Sequence, residues 1–251
     1  MPSIAIGQHG AVTDQRTPTP TIRRLVAYLL DAPAPDQPLA ELQAWIAASP
    51  RFRSFAEANR DKIRKKVRGA TSPEARLDVM AELRVAALLL ADRRFDLAFE
   101  AYGAGRRGPD FTATFRAGRA FNVEVTRRRP GTGDGALEHS ILAKLRQLPP
   151  SVSNVVVVAV DGPSGAPDPG PVLHELRGRA DRRDDAFFVA RGLEGVATFH
   201  AGLLRLAAVV AWAADAEASR RVAAWANAGA RIPLPEPTLR ALVAALARSI
   251  G

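Results

Sequence analysis

The feature that most constrains the fold is a switch from helical to strand periodicity near residue 95. Before it, residues 73–92 carry apolar side chains at helical spacing, and residues 85–91 are apolar throughout, which is typical of a buried helix. After it, apolar and polar side chains alternate, as they do in strands that have one face on a core. Three segments show this alternation: residues 95–102, 110–116 and 121–127.

A second helix and a buried strand follow the alternating segments. Residues 136–148 are amphipathic and end at Pro149 and Pro150, and the run NVVVVAV at 154–160 is typical of a central strand. The order helix–β–β–β–helix–β predicts an α/β fold in which helices flank a mixed β-sheet. Further elements are expected as helices over 172–180 and 237–249, strands over 203–213 and 221–226, and a short apolar segment over 187–190.

Composition divides the chain into three parts. Residues 1–20 are polar, and we expect a disordered tail there. Residues 21–70 contain helical patterns and predict a basic helical extension, and residues 71–251 are expected to form the α/β domain.

Positive charge is concentrated in the extension. The chain carries 35 Lys and Arg residues against 26 Asp and Glu, a net charge of +9. Residues 51–68 hold eight basic and two acidic residues, so this predicted helix accounts for +6 of that excess. Such a helix favours binding to the phosphate backbone of a nucleic acid, although a solvated helix face beside a core has the same composition. The expected contacts are Arg60, Arg64, Lys65, Lys66 and Arg68, with Arg106 and Arg107 from a glycine-rich turn.

Several classes of protein and site are excluded by residues that the chain lacks. It has no cysteine, which excludes a disulfide scaffold, a zinc–thiolate site and a cysteine nucleophile. No apolar run approaches the ~20 residues that a membrane span needs. The first residues lack the basic start and apolar stretch of a signal peptide, so we expect a cytoplasmic protein without a membrane partner.

Two carboxylates are expected on the same polar face of the predicted hairpin. Alternation places Asp110 and Glu124 on adjacent strands joined near Gly118. Adjacent strands lie about 4.8 Å apart, so the two groups are close enough to share a hard cation. Mg²⁺ prefers such carboxylates together with water and phosphate oxygens, and it could polarise a phosphodiester.

A third acid is expected to face the core. Glu82 lies at helical spacing from Val79, Val85, Ala86 and Leu89, and therefore on an apolar stripe. A buried carboxylate needs a partner, which here is either an arginine or a site shared with a metal.

Together these residues resemble the PD-(D/E)XK nuclease superfamily, which has a restriction-endonuclease-like fold with an αβββαβ core. The resemblance covers roughly residues 73–161 and rests on Glu82 in AELRVAALLL, Asp110 in GPDF and Glu124 in NVEVTR. It implies that Asp110 and Glu124 bind Mg²⁺ or Mn²⁺ and that Glu82 assists. It also implies a lysine that orients or activates the attacking water.

The sequence departs from the family at that lysine, because Thr126 occupies its position. A hydroxyl can hydrogen-bond to a water but carries no positive charge. The one lysine of the chain within the core region is Lys144, and some members of the superfamily carry the lysine on the corresponding helix. Gln147, three residues later, would share its helix face. The alternative is that Lys144 is an ordinary exposed helix lysine.

Three functions remain open from the sequence. The first is a metal-dependent nuclease that hydrolyses phosphodiester bonds of DNA, with RNA as the alternative substrate. The second is an inactive nucleic-acid-binding relative of the same fold. The third is a structural or partner-binding protein whose acids pair with arginines. A homodimer is compatible with each of them.

Overall fold

The molecule is built on a six-stranded mixed sheet. The computed structural model describes residues 20–30, 37–100, 108–128 and 135–248. The strands are β1 (Phe95–Phe99), β2 (Phe111–Phe115), β3 (Ala120–Arg128), β4 (Ser153–Val160), β5 (Leu206–Ala213) and β6 (Val222–Ala226). They lie side by side in chain order. Strands β3, β4 and β5 are parallel, and the other neighbouring pairs are antiparallel.

Helices cover both faces of this sheet, which confirms the predicted α/β class. They are α1 (Pro20–Leu30), α2 (Gln37–Ala48), α3 (Pro50–Ala58), α4 (Arg60–Gly69), α5 (Pro73–Ala91), α6 (Ala136–Leu145), α7 (Pro169–Asp181), α8 (Asp185–Ala190), α9 (Val196–Leu203) and α10 (Glu236–Leu246), with a 3-10 turn at Ala218–Arg220. None of the described helices is long and apolar enough to span a membrane.

Two hydrophobic clusters divide along the sheet. One face of β3 and β4 packs on α5 and contributes Val123 and Val157, and the other face packs on α6 and contributes Val156 and Val158. The alternation of β3 therefore sends Glu124 to the α6 face and its neighbour Val125 to the α5 face.

The helices of the N-terminal extension share the first cluster. Leu29, Ile46 and Phe52 are fully buried in it together with residues of α5 and the sheet.

Helix α5 begins where the sequence predicts, because the hydroxyl of Ser72 accepts a hydrogen bond from the N–H of Ala75 at 3.1 Å.

Several boundaries differ from expectation. The strand expected over 95–102 ends at Phe99, and the helix expected over 237–249 ends at Leu246. The single helix expected over 51–68 breaks into α3 and α4 at Asn59, whose side-chain amide donates to the carbonyl of Phe55 at 2.9 Å. Helix α6 ends at Leu145 instead of residue 148. The strand expected over 203–213 begins at 206, after an additional helix, α9.

The expected tail falls almost entirely on residues that are not described. Residues 1–19 lie outside the described part of the chain, and Pro20 is the first residue of α1.

Candidate functional site

Three elements bring the predicted carboxylates into one cluster. Glu82 lies in the middle of α5, Asp110 immediately precedes β2, and Glu124 lies within β3. Asp110 is fixed by a hydrogen bond of 2.8 Å that the N–H of Val125 donates to its Oδ2. The charge of Asp110 acts on both Glu82 and Glu124, so the three groups form one electrostatic unit.

Lys66 of α4 reaches this unit from the extension. Its Nζ donates to a carboxylate oxygen of Glu82 and lies 3.2 Å from Oδ1 of Asp110. It also lies 3.5 Å from Oε1 of Glu100, at the end of β1. The Lys66 side chain is only 24% exposed, so most of it lies inside the site and not on the protein surface.

Lys144 of α6 approaches from the opposite face of the sheet. Its Nζ donates to Oε1 of Glu124 at 2.5 Å, and its side chain is 20% exposed. The structure therefore excludes an ordinary exposed helix lysine and places a positive charge beside the acid of β3.

The site contains more acidic groups than basic ones. Burial and the charge of Asp110 raise the pKa of Glu82 to about 8, although Lys66 and Lys144 oppose the change. Burial and Asp110 likewise raise the pKa of Glu124 above its ordinary value. Burial alone would lower the pKa of Lys66, but Glu82 and Asp110 outweigh it and raise that pKa. Raised pKa values of this kind mean that protonation or a nearby cation stabilises the clustered acids.

The two remaining predicted site residues are Thr126 and Gln147. Thr126 is half-buried and follows Glu124 by two positions, hence on the same strand face. Gln147 lies in the turn after α6, and its amide donates to the carbonyl of Ala143 at 3.4 Å. Helix α6 ends two residues before Gln147, whose N–H still donates to the carbonyl of Lys144 at 2.9 Å, so the face shared by Lys144 and Gln147 stays a prediction.

The predicted phosphate-binding residues separate into inward and outward groups. Lys66 is turned into the carboxylates, whereas Lys65 and Arg68 are exposed. The guanidinium groups of Arg60 and Arg64 lie 5.5 and 4.3 Å from the ring centroid of Tyr28. Arg106 and Arg107 lie outside the described residues.

Sequence reasoning missed Glu100 and the contact between Lys66 and the carboxylates. Glu100 lies within the alternating segment predicted over 95–102 and directly follows β1, and its N–H donates to the carbonyl of Asp110 at 3.0 Å. Lys62 and Lys66 are one helical turn apart, a spacing that places them on the same side of a helix but does not show which way that side faces.

A separate charged cluster on the other face of β3 is structural. Arg127 is 3% exposed and donates to Glu74, to Oδ1 of Asp78 at 2.9 Å and to Asp161. It ties the end of β3 to α5 and to the residue after β4. It therefore does not replace the missing lysine, as the alternation of β3 predicts.

The donor chemistry of the site suits a hard cation. Within the described residues no three His, Cys, Asp or Glu side chains are already arranged to hold a metal. Lysine ammonium groups instead lie on the carboxylates. Every ligand the cluster offers is nevertheless a carboxylate oxygen, which is the donor that Mg²⁺ and Mn²⁺ prefer.

Comparisons of the chain with protein-family models, curated proteins and solved structures gave no significant match.

Proposed function

We propose that this protein is a Mg²⁺- or Mn²⁺-dependent nuclease that hydrolyses phosphodiester bonds of DNA. The observation that carries the proposal is the convergence of Glu82, Asp110 and Glu124, from three elements, with Lys144 on the acid of β3. Acids expected from a short motif on a helix and two strands meet at one place, and neither Asp110 nor Glu124 pairs with an arginine among the described residues.

The order of elements supports the resemblance to the PD-(D/E)XK superfamily. Helix α5, strands β1, β2 and β3, helix α6 and strand β4 follow one another as αβββαβ. On this proposal the restriction-endonuclease-like core comprises these elements, and α1 to α4 form the helical N-terminal extension.

Each side chain has a role in the proposed reaction. Asp110 and Glu124 would hold the ion, and a bound ion would polarise the phosphodiester and lower the pKa of a water. A bound ion would lower the pKa of Glu82, which would then add negative charge behind them. Lys144 supplies the positive charge that Thr126 lacks, while the Thr126 hydroxyl is suited to hydrogen-bonding a water.

The outer surface of the extension supports a nucleic-acid partner. Lys65 and Arg68 are exposed on α4 next to the site, and exposed cations beside a carboxylate cluster favour binding of a phosphate backbone. This charge is not specific for DNA over RNA, so the choice of DNA rests on the resemblance.

A second candidate is a relative that binds nucleic acid without cutting it. The observation that favours it is the pairing of Lys66 and Lys144 with the carboxylates, which reduces the demand for a metal.

Plasmid nicking with Mg²⁺ or Mn²⁺ tests the proposal. We expect the wild type to nick DNA and Asp110→Asn to lower the rate by about 100-fold or more, because a catalytic metal supplies several kcal/mol. Asp96→Asn is the matched control, since Asp96 is an exposed strand aspartate that pairs with Arg51. Cleavage that survives in Asp110→Asn would contradict the proposal. Binding without cleavage in all three proteins would support the second candidate.

A further inference from the structure

Lys66 is held in place by a second lysine of the same helix. Nζ of Lys62 donates to the carbonyl oxygen of Phe99 at 2.8 Å and lies 3.3 Å from that of Glu100. One turn along α4, Nζ of Lys66 lies 5.2 Å from the centroid of the Phe99 ring. Helix α4 is therefore anchored on the end of β1, and this anchorage directs Lys66 into the carboxylates.

Glu100 adopts a backbone conformation that brings its carboxylate to Lys66. Its φ is 44°, in the left-handed region, which costs a non-glycine residue roughly 1–2 kcal/mol. Because the N–H of Glu100 also donates to the carbonyl of Asp110, the two acids are held together. Strain of this kind persists where the surrounding structure enforces it, often at functional sites.

The surroundings of Lys66 are those of a small hard cation. An ammonium group has three N–H donors, and three carboxylates lie within reach of it: Glu82, Asp110 and Glu100. These oxygens belong to the class that a divalent ion would choose. One of them, Oδ1 of Asp110, belongs to a residue that the proposed function assigns to the metal.

We propose that Lys66 occupies a cation position of the acidic site and that a divalent ion binds by displacing its ammonium group. This inference rests on the proposed function, because it takes Asp110 as a ligand of the ion. A lysine suits the role, since it is a compact charge on a flexible stem and can withdraw. The fixed, planar fork of an arginine would be displaced less readily.

Displacement gives the extension a part in metal binding. The affinity for the ion includes the cost of breaking the contacts of Lys66 with Glu82 and Asp110. Removal of the Lys66 charge should therefore tighten metal binding. Removal of the exposed neighbour Lys65 should leave it unchanged.

Amine labelling tests the displacement on the unsubstituted protein. The full chain is acetylated with an N-hydroxysuccinimide ester, with EDTA or with saturating Mn²⁺, and the rate at each lysine is measured by peptide mass spectrometry. With EDTA we expect Lys66 to react about tenfold more slowly than Lys65. A tenfold difference in rate corresponds to about 1.4 kcal/mol of ion pairing. Mn²⁺ should accelerate Lys66 severalfold and leave Lys65 unchanged. An unchanged or slower rate at Lys66, with Mn²⁺ binding verified by calorimetry, would overturn the proposal.

Calorimetric titration of Lys66→Met and Lys65→Met with Mn²⁺ separates this inference from the proposed function. Tighter binding in Lys66→Met alone supports the displacement. Equal affinity of wild type and Lys66→Met, with cleavage retained, overturns the displacement and leaves the nuclease proposal standing. Absence of Mn²⁺ binding in every protein overturns both. Circular dichroism verifies that each variant is folded.

Discussion

Two largely buried carboxyl groups, one within helix α5 and one directly after it, have opposite pKa shifts. Asp92, the residue after the helix, is 5% exposed, and Glu82 in the middle of the helix is 16% exposed. Side-chain hydrogen bonds from Arg94 hold the pKa of Asp92 at about 2, assisted by the N–H of Arg94 and by Arg248. Burial and Asp110 raise the pKa of Glu82 to about 8.

The two pKa shifts differ in direction because Asp92 has several hydrogen-bond donors of its own, whereas Glu82 shares one donor group with other acids. Asp92 receives two side-chain hydrogen bonds from Arg94, of 2.9 and 2.7 Å, and one from Arg248 of 3.2 Å. Glu82 shares the single ammonium group of Lys66 with two other acids. Burial alone therefore does not set the direction of a pKa shift. The balance between burial and nearby donors does, and Glu82, Asp110 and Glu124 together share the ammonium groups of two lysines.

The largest effect is expected from Glu82→Gln above neutral pH in EDTA. The pKa of Glu82 is about 8 in the folded protein and 4.5 for the free group, so the folded state retains a proton that the unfolded chain has released. Wild-type stability should therefore fall, relative to the variant, as pH rises from 4.5 to 8. Each pKa unit is worth about 1.4 kcal/mol, so the final difference should reach a few kcal/mol.

Urea denaturation across that pH range measures this difference. Glu57→Gln, at an exposed glutamate of α3, is the control and should follow the wild type. Parallel stability curves for Glu82→Gln and the wild type would show that Glu82 does not lack positive charge.

A smaller effect of opposite sign is expected from Asp92→Asn. The pKa of Asp92 falls from 3.8 to about 2 on folding, so its ionised form stabilises the protein above pH 3.8. The variant should lose about 2 kcal/mol at neutral pH. The difference should disappear as pH falls from 3.8 towards 2.

Urea denaturation at neutral and acidic pH tests this expectation. Asp96→Asn, at an aspartate that is 81% exposed, should change stability by less than about 1 kcal/mol. A full 2 kcal/mol difference between Asp92→Asn and the wild type that persists at pH 2 would mean that packing, and not charge, accounts for the loss.

The sequence predicts the part of the site that depends on local periodicity. Alternation in β2 and β3 and the helical stripe of α5 are enough to bring Asp110, Glu124 and Glu82 towards one place. Lys144 could be selected because the chain has few lysines and because α6 follows β3.

The rest of the site depends on tertiary contacts that no local pattern encodes. Lys66 is 44 residues before Asp110, and it lies on α4, which follows the break at Asn59 in the helix expected over 51–68. The left-handed conformation of Glu100 follows from the closure of β1 on Asp110 and not from residue type. The basic composition of this segment therefore did not show that Lys66 faces the carboxylates.

Calorimetric titration with Mn²⁺ tests the central claim, that the lysine-held carboxylates form a cation site, most directly. The account predicts that the wild type and Asp96→Asn each bind one ion and that Asp110→Asn binds none. Equal binding by the wild type and Asp110→Asn, or no binding by the wild type, would contradict it.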